Sequence, residues 1–230
     1  MGRALRTDVG DYVYHVLNRA NARSTLFKKK SDYELFEKVL EEAKQKVEAK
    51  EKVDMRILSY TIMPNHWHLV LYPKNDGDLS KFVSWLTLTH TQRWHAEHHT
   101  IGHGHLYQGR YKSFLCEDDA HFIQLVRYVE RNPLRANLVK KAEDWQWGSV
   151  WRREKGTPKQ KKLLSVWPVP TPRGYATLLN EPQSKQEVDS LRRAITRGNP
   201  YGSDVWTERT IKEFNLETTV TPRGRPKKGS

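Results

Sequence analysis

Apolar and polar residues alternate most cleanly between Thr61 and Tyr72. A turn at Met63, Pro64 and Asn65 leads into a short strand. Successive strand side chains point to opposite faces, so His66, His68, Val70 and Tyr72 share one face. Trp67, Leu69 and Leu71 point the other way, into a core. Upstream, Tyr12 to Asn18 predicts a first strand and Met55 to Ile62 another, hairpin-paired through the Pro64 turn. Between them, Ser31 and Glu34 form a capping box. It opens a helix with Phe36, Val39, Leu40, Ala43 and Val47 on one face. Asp78 can cap a further helix that carries Leu79, Phe82, Val83, Leu86 and Trp94. A His-rich loop follows, from His95 to His105. Leu106 to Cys116 predicts a strand weakened by Gly109. Glu117, Asp118 and Asp119 suit the positive end of a helix that buries Phe122, Leu125, Val126 and Val129. That helix stops near Pro133, and Asn132 with Pro133 starts a short one running to Leu138.

The order is strand, helix, strand, strand, helix, strand, helix. Hairpin strands with helices between them predict an α+β fold, an antiparallel sheet flanked by helices. Trp145, Trp147 and Trp151 close this unit, expected over residues 1–154. Residues 155–172 read as a basic, Pro-rich linker and 173–218 as a small helical extension. Residues 219–230 read as a basic tail, too poor in apolar groups to fold alone. Residues 1–10 read as a flexible basic arm.

Charge narrows the function. Lys and Arg number 40 against 27 acidic residues, a formal net charge of +13. Such an excess points to a polyanion, most often nucleic acid. Eight Trp and ten Tyr accompany it, and rings among cations suit unpaired bases. Arg19, Arg23, Arg110 and Lys112 are candidate phosphate contacts. Cys116 is the only cysteine, which argues against a disulfide framework or a Cys-rich zinc site and fits a reducing cytoplasm. No apolar run is long enough to span a membrane, and no signal peptide is visible.

Two constellations carry chemistry. His66 and His68 lie about 6.6 Å apart along a strand, close enough to lean onto one cation. A lone His-x-His on a strand is usually surface decoration or a satisfied polar pair. Tyr128 and Asn132 are four apart on a helix, with Gln124 and His121 on the same side. That polar setting suggests a displayed tyrosine. A ring at the core edge with Asn132 as the next cap also fits. Tyr107 and Tyr111 are rivals without an Asn partner. His90, His95, His98, His99, His103 and His105 read as a solvated polar loop rather than a second metal site.

Taken together, Met63 to Val70, the segment His105 to Tyr111, and Tyr128 to Arg135 resemble the single-tyrosine HUH transposases, especially the REP-associated tyrosine transposases. The resemblance covers roughly residues 10–151. It implies a ferredoxin-like or RRM-like sheet and cleavage and rejoining of single-stranded or hairpin DNA. It implies Mg²⁺ or Mn²⁺ on His66, His68 and Asn132, with Tyr128 as the nucleophile that forms a 5′-phosphotyrosine. It also suggests a bacterial cytoplasm and a monomer, as in the REP-associated subgroup, with a dimer, as in many transposases of the wider family, the alternative. Pro222 to Pro226 resembles an AT-hook core, whose Arg223 and Arg225 would lie in the minor groove of A·T-rich duplex. Two other readings are a non-catalytic DNA-binding protein of the same ancestry and a metal-dependent nuclease that does not rejoin. A covalent protein–DNA adduct separates the transposase from the nuclease.

Overall fold

The computed structural model describes residues 7–221. Four strands and two helices come first: β1 (Val13–Arg19), α1 (Lys30–Glu51), β2 (Met55–Met63), β3 (His66–Pro73), α2 (Asp78–Glu97) and β4 (Lys112–Cys116). The sheet order is β2-β3-β1-β4, and every neighbouring pair is antiparallel. Each helix therefore crosses over one intervening strand, the ferredoxin-like arrangement. The expected α+β class and antiparallel sheet are both present.

One sheet face meets α1 and α2. Trp67, Leu69 and Leu71 pack there with Tyr14, Val16, Phe36, Leu40, Phe82 and Leu86, all fully or almost fully buried. The opposite face is covered as well. Val13, Val70, Phe114 and Cys116 lie beneath α3 (Ala120–Glu130), which contributes Phe122, Leu125, Val126 and Val129. Then follow α4 (Asn132–Arg135), α5 (Ser149–Lys155), α6 (Pro158–Lys161), α7 (Tyr175–Asn180), α8 (Lys185–Arg197) and α9 (Asp204–Glu213). The stretch after residue 155 divides between the two cores: Leu163, Trp206 and Leu216 join the first, and Trp167, Leu191, Ala194 and Tyr201 join the second. The Trp167 indole donates to the Leu58 carbonyl at 3.0 Å, and Leu191 and Ala194 of α8 share the core of α3. Tyr201 runs beside the end of β4, where its N–H donates to the Leu115 carbonyl and its carbonyl accepts from Glu117.

Several local expectations change. Ser31 lies inside α1, and it is the Asp32 carboxylate that accepts from the N–H groups of Lys28 and Lys29, at 2.7 and 3.0 Å. Residues 8–10 are not a free arm. Asp8 accepts from Leu79 and Ser80 at the start of α2, and the Gly10 N–H donates to Asp76. Gly10 passes so close to the 74–75 backbone that a Cβ would lie 2.3 Å from the Lys74 carbonyl oxygen. The expected strand over 106–116 pairs only from Lys112 onward. Gly109, at φ +141°, turns the preceding segment off the sheet, and Tyr107 touches Ala20 through a single bridge. No helix among the described residues is long and apolar enough to cross a membrane. Arg223 and Arg225 lie outside the described residues.

A buried acid ties the second face together. The Glu130 side chain is fully buried. It accepts from Ser59 at 2.8 Å, Ser149 at 2.6 Å, Arg153 at 2.6 Å and Tyr175 at 2.8 Å, which joins β2, α3, α5 and α7. Removing one partner of a buried charge pair strands the other, at a cost of about 3–5 kcal/mol. Glu130→Ala is therefore expected to lower unfolding stability by roughly that amount, and Glu130→Gln by less. Urea titration checks this, and a loss below about 1 kcal/mol would show the hub to be unimportant.

Candidate active site

Antiparallel register places the histidine pair. His66 lies opposite Arg19 in β1 and Met63 in β2, and His68 lies opposite Leu17 and Thr61. Their rings stand 4.9 Å apart on the face that α3 covers. Each Nδ1 has a partner. His66 Nδ1 is 2.6 Å from Asn65 Oδ1, and His68 Nδ1 is 2.7 Å from Nε2 of the buried His15. Burial, reinforced by Arg19 and Arg135, lowers the His66 pKa to about 4. Burial, with His66 next in weight, holds His68 well below its usual value. Both rings are neutral at neutral pH. With the proton on each Nδ1, both Nε2 atoms keep a lone pair. A hydrogen bond on the far nitrogen is what orients a ligand histidine.

His15 was not singled out in the sequence. The signal was available, because His15 shares the odd-numbered face of β1 with Leu17 and Arg19. Only the strand pairing brings that face beside His68.

Tyr128 sits near the end of α3, which Asp119 caps by accepting from the His121 N–H at 2.7 Å. Its ring meets His68 edge-on at 6.2 Å. Tyr128 is only 6% exposed, so the expectation of a displayed side chain fails. The guanidinium of Arg135 lies 4.1 Å above its ring. The rest of that helix face is also covered: Gln124 accepts from the Tyr201 hydroxyl, and Gln183 donates to the Gln124 carbonyl. Asn132 does not cap α4, whose N-cap is Arg131. Instead Asn132 Oδ1 accepts from Arg135 Nη2 at 2.6 Å.

These donor types are ones that divalent cations take. Two imidazole nitrogens and an amide oxygen with one lone pair remaining suit Mn²⁺ and can accommodate Mg²⁺. The rival tyrosines lie on the other side of the sheet. The Tyr107 hydroxyl accepts from the Trp67 indole at 3.0 Å and bonds His90 Nδ1 at 2.7 Å, and the Tyr111 hydroxyl is 3.3 Å from Ser80. The His-rich segment is less solvated than expected. His90 is fully buried, and His98 bonds the Asp32 carboxylate at 2.8 Å. Glu117, Asp119 and His121 form a compact group near the start of α3. Asp119 caps the helix and Glu117 accepts from the Ser203 N–H at 2.7 Å, so structural roles account for both acids.

The cationic residues separate. Arg19, Arg110 and Lys112 line a cavity of about 560 Å³ with Tyr128, and Arg192 and Thr196 of α8 complete the lining. Arg192 was not anticipated. Arg23 lies apart, exposed on the turn after β1.

Acid should loosen this protein. Burial lowers the pKa of His90 and of His15 to about 3 each. A histidine of the unfolded chain titrates near 6.5. The unfolded state therefore takes up protons first. The stability is fully present above about pH 6.5 and is lost as the pH falls from there toward the folded values. By pH 5 the loss from His90 alone is about 2 kcal/mol. Urea midpoints between pH 7.5 and 5 should show the decline, and His90→Gln should flatten it. An unchanged slope in that variant would remove His90 from the account.

Fold and site together define an α+β protein in which a histidine pair and a helix-borne tyrosine share one face of a ferredoxin-like sheet. The chain belongs to the IS200-like transposase family, whose model matches residues 8–132, more than half of its length. The match takes in the sheet, His66, His68, Tyr128 and Asn132. Similar solved structures include the following two. One is a REP-associated tyrosine transposase bound to a REP hairpin: 17% identity, TM-score 0.49, covering 69% of this chain and 89% of that one. The other is a putative transposase from Deinococcus radiodurans R1: 18% identity, TM-score 0.37, covering 57% and 95%. No curated protein matches the chain.

Proposed function

We propose that this transposase cleaves and rejoins single-stranded or hairpin DNA through Tyr128, with a divalent metal on His66, His68 and Asn132. The observation that carries the reading is the meeting of Tyr128 with His68 beside a cavity lined by Arg19, Arg110, Lys112 and Arg192. The cations draw in and hold an anionic strand. The Tyr128 oxygen attacks phosphorus, the bond to the 3′ oxygen breaks, and a 5′-phosphotyrosine forms. The proton that Tyr128 loses balances the one the leaving 3′ oxygen gains. The aryl phosphate stores the bond, so an incoming 3′-OH can reverse the step without external energy. Bound Mg²⁺ or Mn²⁺ would supply charge neutralisation at the phosphate. The chain acts as a monomer, and Arg223 and Arg225 add contacts to A·T-rich duplex beside the cut.

The test uses the full chain, Mn²⁺, and labelled hairpins carrying randomised single-stranded flanks, with matched perfect duplexes as control. A label that stays on the protein through denaturation, from the hairpins alone, is the expected result. Equal cutting of both substrates without an adduct would make the protein a plain nuclease. No cutting at all would leave only DNA binding.

A further inference from the structure

Two buried N–H donors beside Tyr128 have no acceptor: Asn132 Nδ2 and Arg135 Nη1. Their geometry is set by their neighbours. Arg135 Nη2 donates to Asn132 Oδ1 at 2.6 Å and to the Tyr128 carbonyl at 3.3 Å. The amide oxygen therefore faces the guanidinium, and the amide nitrogen faces away from it. The guanidinium is fixed a second time by its stack on the Tyr128 ring. A buried donor without a partner is costly, and more so on a charged group. The charge here is also uncompensated. Arg131 and Arg135 form no ion pair with a carboxylate among the described residues. A guanidinium without a carboxylate partner and two orphaned donors side by side call for an anion with more than one acceptor oxygen.

We infer that Arg135 and the Asn132 amide nitrogen bind the non-bridging oxygens of the phosphodiester that Tyr128 attacks. The ligand is a nucleic-acid phosphate, held directly by the protein and independently of any metal. Arg135 would thereby set three things at once: the tilt of the Tyr128 ring, the direction of the Asn132 amide, and the position of the phosphate. A lysine could supply the charge but neither the flat stack nor the fork. The inference rests on the strand-transfer reading of Tyr128, and its test is separable from that reading.

The test measures binding in chelator, where no cleavage is needed. Full-length Tyr128→Phe protein, which keeps the ring, is titrated with hairpin oligonucleotides by fluorescence anisotropy. Each oligonucleotide carries one neutral methylphosphonate, moved linkage by linkage. The expected result is one linkage at which neutralisation weakens binding about tenfold. In Tyr128→Phe/Arg135→Gln that penalty should vanish there and persist at other linkages. Tyr128→Phe/Arg135→Lys should keep part of it, and it serves alone if the Gln variant does not fold. Equal penalties with and without Arg135, or no sensitive linkage, would overturn the inference even if wild-type protein forms the adduct. A missing adduct with a positive scan would instead overturn the reading of Tyr128 as nucleophile.

Discussion

Tyr128→Phe is expected to eliminate the covalent adduct and lower strand cleavage by at least about a thousandfold, while fold and DNA binding persist. The substitution removes one oxygen. The ring stays, and with it the stack under Arg135 and the edge contact with His68. The hydroxyl makes no hydrogen bond among the described residues, and the side chain lines the open cavity. Removing it strands no partner, so unfolding stability should change by less than about 0.5 kcal/mol. Peptide mapping of adduct trapped on wild-type protein should recover DNA on the segment that contains Tyr128. DNA on Tyr107 or Tyr111, or full cleavage by Tyr128→Phe, would refute the assignment. Geometry disfavours both rivals, since each hydroxyl is engaged on the opposite sheet face.

His66→Ala and His68→Ala should each abolish cleavage and weaken Mn²⁺ binding in calorimetry, but they should differ in stability. His66 is half-buried, and its Nδ1 partner is the side chain of its own neighbour Asn65. Its loss should cost little. His68 is almost fully buried and bonded to His15, itself 1% exposed. His68→Ala leaves a buried imidazole nitrogen without a partner, at about 1–3 kcal/mol. Two variants equally dead in cleavage but unequal in urea midpoint would fit the proposed centre. If His66→Ala/His68→Ala cleaves at full rate in chelator, the metal centre is excluded.

Strand β3, helix α3 and the turn at Pro64 were legible in the sequence because each is set by local periodicity. A period of two put His66 and His68 together, and a step of four put Tyr128 near Asn132. The same local reading failed where a side chain answers to distant residues. Tyr128 looked displayed because its neighbours Gln124 and His121 are polar. In the fold those neighbours are covered by Gln183 and Tyr201, more than fifty residues downstream. His15 joined the histidine pair only through the β1–β3 register. The stretch from residue 155 to 218 read as linker and appendage because Trp167, Leu191 and Ala194 are too sparse to suggest a core of their own. They complete one begun by Phe114 and Phe122, and carry Arg192 to the cavity. Periodicity reports which face of an element is apolar. Which elements share that face depends on burial across the whole chain, and only the tertiary structure decided it.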